Sequence, residues 1–153
     1  MKGLTLTDVF GASIDKPTLP SLFISHGAPT IAIEDTPFTQ ALHQLGADLP
    51  KPKLILIMSA HWESGEWLIN ANPAPSTLHD FGGFPKALFE IQYPAAGHPT
   101  AAQSIAKQLA QMQVAVKVVD NQPFDHGVWT PLLHMYPNAD VPIRSEERRV
   151  GKE

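Results

Sequence analysis

The sequence predicts an α/β fold, a mostly parallel central sheet with flanking helices. Three observations carry that expectation. "KLILIMSAHWES", from Lys53 to Ser64, opens as a continuous apolar run, the pattern of a strand buried on both faces within a parallel sheet. "VAVKVVD", from Val114 to Asp120, is a second β-like run, and it follows a segment of helical spacing from about Pro99 to Met112. β-like and helical segments also alternate along the chain, as in layered α/β proteins.

In order, the stretch up to Lys16 is weakly patterned and expected to be peripheral. "LPSLFIS", Leu19 to Ser25, predicts the first strand. A helix over Thr36 to Leu45 places Pro37 in its first turn, where no helical hydrogen bond is lost. "GADLPKPK" then breaks the chain before the Lys53 strand, and "EWLINA", Glu66 to Ala71, predicts a third strand. The passage from Asn72 to Pro99 is long for a connection inside a compact domain, and such loops are usually functional or disordered. Its aromatics Phe81, Phe84, Phe89 and Tyr93 argue against disorder. The helix from Pro99, the Val114 strand and an apolar helical segment after "PFDHGVW" complete the alternation.

At 153 residues the chain is one domain's worth, with apolar content sufficient for a core. A net charge of -4 offers no basic footprint for nucleic acid and no polybasic patch for a membrane. No apolar run is long enough to span a bilayer, and "MKGLTLTDVFGASIDKP" lacks the apolar centre of a signal peptide, so the cytoplasm is the expected location. With no cysteine, any metal must be held by His, Asp or Glu.

Histidines close three of the β-like phrases: His26 in "SHGAP", His61 in "SAHWES" and His126 in "FDHGVW". In open α/β folds the carboxyl ends of the strands line the ligand crevice. Neutral imidazole is the commonest side-chain metal ligand and suits iron or zinc. His26 and His61 are therefore the expected pair of metal ligands, against the plainer possibility of two unrelated polar caps. Gly27 and Gly127, each following a histidine, would allow close backbone approach. His43 and His98 read as solvated and His134 as a packed or half-exposed helix residue. His79, beside Asp80 in an aromatic loop, reads equally as pocket wall or loop structure. Asp125 would either orient His126 or cap the following helix, with the cap favoured.

"SHGAP", "SAHWES", "HDFGGFPKALFEIQYPAAG" and "FDHGVWTPLLHMYPNADVPI", in this order and spacing, resemble the extradiol ring-opening dioxygenases of the 4,5-DOPA dioxygenase type, relatives of the catalytic subunit of protocatechuate 4,5-dioxygenase. The resemblance runs from about Leu19 to Ile143 and implies the N-terminal half of a catalytic domain. It implies cleavage of a catechol (DOPA-like) ring with O2, and Fe(II), or Zn(II) as isolated, held by His26 and His61. It also implies a catalytic His126 that bonds substrate or oxygen and moves protons. The aromatic loop from His79 to Phe84 would pack against a planar substrate, with His79 and Phe81 as its substrate-binding residues. A small aromatic substrate and O2 are the implied partners, with no nucleic acid and no membrane.

The chain departs from that pattern after Ile143. Family members continue with another apolar strand and a second half, whereas "RSEERRVGKE" carries charge at Arg144, Glu146, Glu147, Arg148, Arg149, Lys152 and Glu153. Residues 144–153 are accordingly expected to be a solvated tail foreign to the family, and the fragment 1–143 truncated and inactive. Two other readings stand beside this one: a zinc hydrolase with Glu63 as base, and a non-catalytic fragment.

Overall fold

A computed structural model describes residues 19–149. The stretch up to Lys16 and the tail beyond Arg149 lie outside the described residues. After a 3-10 turn at Pro29–Ile33 come α1 (Pro37–Asp48), β1 (Ile55–Ser64), β2 (Trp67–Asn70), α2 (Lys86–Phe89), α3 (Pro99–Gln111), β3 (Val116–Val119), α4 (His126–Met135) and β4 (Ile143–Arg149). The four strands form one sheet in the order β1-β4-β2-β3. β1 pairs with β4 and β2 with β3 in parallel, while β2 meets β4 antiparallel through Ile69 and Glu146. The expected α/β class and the dominance of parallel pairing are both present.

The three longer helices, α1, α3 and α4, start where a side chain satisfies free N–H groups. Thr36 and Thr39 cap α1 reciprocally, each hydroxyl accepting from the other's backbone N–H at 3.2 and 2.9 Å. His98 caps α3 through Nδ1, which accepts from the Ala101 N–H at 3.2 Å. Asp125 caps α4. One apolar cluster joins Tyr93, Phe124, Val128, Trp129, Leu132 and Ile143 between α4 and the sheet. Each such side chain fully withdrawn from water contributes about 1.5–3 kcal/mol before entropy is counted. The long passage after β2 is laced to this core: Trp129 donates to the Leu78 carbonyl at 2.9 Å, and Phe124 exchanges backbone bonds with Ser76 and Leu78.

Three expectations change. Leu19 to Ser25 joins no ladder; Ile24 anchors it on the Leu42, Leu49 and Met135 cluster, while Phe23 is fully exposed. β1 is an edge strand and not a doubly buried one, with Leu56 and Met58 about half exposed. Within the charged segment, residues 144–149 do not form a separate tail but belong to β4, paired between β1 and β2. Ladder bonds use only the backbone, so a charged sequence can occupy that slot. The misfit is carried by its side chains. Arg144 is completely buried, paired with Glu146, and its Nε and Nη1 have no hydrogen-bond partner.

Candidate metal centre

His26, His61 and His126 meet in space although 35 to 100 residues of chain separate them. One ring nitrogen from each lies within 4.8 Å of the others. The ring centroids stand 4.6 Å apart for His26 and His61, 5.0 Å for His26 and His126, and 4.0 Å for His61 and His126. The Nε2 atoms of His26 and His61 are 2.9 Å apart. Two nitrogens bound to one ion at roughly 2.0–2.1 Å and at a right angle would be separated by about the same distance.

Each histidine reaches this point by a different local device. His26 precedes Gly27, whose φ of +61° turns the chain in a region unfavourable to other residues. His61 does not follow its strand but sits inside β1, in an irregularity where the register jumps from Ser59 opposite Glu147 to Glu63 opposite Arg148. The residues between are released from the ladder, as in bulges that re-aim a side chain. His126 is the buried first residue of α4.

A small polar network fixes β1 to the start of α4. The Ser59 hydroxyl donates to Asp125 Oδ1 at 2.6 Å and accepts from the His61 N–H at 3.1 Å, while the same carboxylate oxygen accepts from the Gly127 N–H at 2.9 Å. Gly127 is required for this approach. A Cβ there would lie 2.7 Å from Ser59 Oγ and 3.0 Å from both Asp125 Oδ1 and His61 Cδ2. Asp125 is thus the helix cap, as favoured by sequence, and the residue that bonds the His126 ring is Asp80 instead. Asp80 Oδ1 lies 2.9 Å from His126 Nδ1 and also accepts from the His126 backbone N–H at 3.0 Å.

The electrostatics suit neutral imidazole ligands. Burial, then the charges that His126 and His61 would carry, lower the pKa of His26 below its ordinary 6.5. Its Nδ1 is buried without a partner. Burial pushes the Asp80 carboxyl up, but the bonds from the His126 backbone and ring, with the ring's charge, more than offset this and hold it below 3.8. A donor set of three imidazole nitrogens fits a divalent transition metal.

Of the other sequence candidates, Phe81 lies beside the site, its ring 5.7 Å from that of His126 and within a cluster containing Phe84, Phe89 and Trp129. His79 is engaged one layer away: Nε2 is 3.0 Å from the Ile91 carbonyl and its ring packs on Phe81, Phe89 and Trp129. His43 is exposed, His98 caps α3, and His134 Nε2 bonds the Ile31 carbonyl at 2.8 Å. Asp80 and Ser59 were not singled out by the sequence. Their one signal was adjacency: Asp80 next to His79, and Ser59 two residues before His61.

The family described as the catalytic LigB subunit of aromatic ring-opening dioxygenase matches residues 20–147. A 4,5-DOPA dioxygenase extradiol from Escherichia coli (strain K12) is 42% identical over 125 residues, covering 82% of this chain and 46% of that protein. One from Beta vulgaris is 39% identical over 127 residues, covering 80% and 47%. The crystal structure of an uncharacterized protein from Escherichia coli K12 superposes with a TM-score of 0.61 at 33% identity, covering 78% of this chain and 43% of that one. The chain spans about half the length of the curated relatives it matches.

Proposed function

Because the chain belongs to the family of the catalytic LigB subunit of aromatic ring-opening dioxygenases, we propose that it carries the metal-binding and proton-moving half of an extradiol dioxygenase acting on a catechol with O2. The observation that carries this reading is the pair of Nε2 atoms 2.9 Å apart with the His126 ring against them. His26 and His61 would hold Fe(II), or Zn(II) as isolated; when bound, the iron supplies a redox path between an electron-rich diol and O2 that no side chain provides.

The remaining work falls to the chain's own groups. His126, bonded through Nδ1 to Asp80, presents its other nitrogen to the site, where it takes a proton from a catechol hydroxyl and returns one as the ring opens. Phe81 gives a flat apolar wall beside it, and His79 supports that wall from behind. A DOPA-like catechol is the substrate class supported by the names of the Escherichia coli and Beta vulgaris relatives. The -4 charge leaves nucleic acid outside this reading. Among the described residues, no helix is long and apolar enough to cross a membrane.

We assign residues 1–143 to the N-terminal part of the catalytic domain and keep 144–153 as a segment foreign to it; the unpaired nitrogens of buried Arg144 support this, and the family match, which runs on to residue 147, weighs against it for 144–147. Two histidines leave a metal with few fixed ligands, so the 153 residues by themselves bind it without turnover. The test is oxygen uptake with Fe(II) and a catechol, using this chain joined to the second half of a relative. Uptake that depends on the catechol supports the dioxygenase. Ester or amide hydrolysis with Zn(II) and no oxygen uptake would replace it with the hydrolase reading, in which Glu63 is the base.

A further inference from the structure

We propose that Asp80 is a positioning residue that locks His126 in a single tautomer, hydrogen on Nδ1 and lone pair on Nε2, so that the nitrogen facing His26 and His61 can only accept a proton when the ring is neutral. The proposal rests on the reading of His126 as the proton-moving group. It stands on two bonds to one oxygen: Asp80 Oδ1 is 2.9 Å from His126 Nδ1 and 3.0 Å from the His126 backbone nitrogen.

An ionised carboxylate only accepts hydrogen bonds, so the ring nitrogen beside it must be the donor. The second bond, from the backbone of the same residue, holds the carboxylate in place against the start of α4. The ring and Asp80 therefore cannot turn independently. His126 is 7% exposed at its side chain and Asp80 22%, so water competes weakly for the Nδ1 proton. Phe81 packs edge-on against the ring at 5.7 Å and blocks a flip on that side. The same logic, a buried carboxylate fixing the tautomer of a histidine base, operates in serine protease triads.

The assignment is tested by long-range nitrogen–proton NMR on the 15N-labelled metal-free chain at pH 8, which reads both ring nitrogens of His126. Wild type should show Nδ1 protonated and Nε2 bare. Asp80→Ala should bring in the Nε2-protonated form, and Asp80→Glu should restore the wild-type pattern in part. Zn(II) affinity, with the metal alone as probe, should fall in Asp80→Ala by no more than the roughly 10–100-fold that loss of an outer hydrogen-bond partner costs, and less in Asp80→Glu. A wild-type ring protonated at Nε2 overturns the proposal, as does an unchanged pattern in Asp80→Ala. If Asp80→Ala does not fold, the wild-type spectrum decides alone. Failure of Zn(II) to bind wild type would sink the metal-site reading while leaving the tautomer result intact.

Discussion

His26 Nε2 and His61 Nε2 face each other across 2.9 Å, brought together by a left-handed turn at Gly27 and a break in the β1 ladder. Without an ion, that distance is an N–H···N bond between two imidazoles. With one, it is the spacing of two neighbouring ligands. Calorimetric titration with Zn(II) separates the cases: binding to wild type should weaken at least about 100-fold in His61→Ala, as losing one of two ligands requires. Equal affinity in the two proteins would place the metal elsewhere.

Gly127→Ala should damage the site without touching a ligand. The added carbon meets Ser59 Oγ at 2.7 Å and His61 at 3.0 Å, so either β1 or the start of α4 must move. Overpacking of this kind costs about 1–3 kcal/mol. Thermal unfolding and Zn(II) affinity should both fall, whereas Gly65→Ala, where a Cβ meets nothing within 4 Å, should leave affinity as it is. An unaltered Gly127→Ala protein would show that the contact between β1 and α4 is looser than described.

Helices α1, α3 and α4 and strands β1, β2 and β3 were legible because their periods, and for the helices their caps, are local to the sequence. The three histidines were singled out as ends of β-like phrases, yet Leu19 to Ser25 joins no ladder and His61 lies within β1, so the cluster forms by other devices than the ones that drew attention to it. Two things were not legible. The bulge that puts His61 inside β1 depends on pairing with β4, a partner more than eighty residues away. The Asp80 bond to His126 joins a loop to a helix start 46 residues on, and no local pattern encodes it. β4 misled for another reason: the slot between β1 and β2 recruits backbone, so side-chain polarity gave the wrong expectation for residues 144–149.

Replacing buried Arg144 and its half-buried partner Glu146 together, as Arg144→Leu with Glu146→Val, should leave stability unchanged or raise it by about 1–4 kcal/mol. Arg144 leaves Nε and Nη1 unbonded in the core, and an apolar side chain removes that penalty. Urea unfolding measures it. A marked loss of stability in the double variant would mean that the ion pair organises β4.

Acid should destabilise the metal-free chain through His26. Its folded pKa lies below 6.5, so the unfolded state binds the proton more readily. The contribution is present above the unfolded value and is lost as pH falls from about 6.5 through the folded value. Melting temperature should therefore drop over that window, and His26→Gln should drop less. Identical slopes would remove His26 from the account.

The most direct test of the central claim divides metal retention from turnover in the chain joined to a relative's second half. Metal content and catechol-dependent oxygen uptake are measured side by side for wild type, His61→Ala and His126→Ala. His61→Ala should lose both. His126→Ala should keep its iron and slow uptake by about 10²–10⁴-fold, the usual share of a general acid–base group. Full-rate uptake by His126→Ala, or wild-type protein that retains iron yet consumes no oxygen with any catechol, would contradict the assignment of this histidine cluster to ring cleavage.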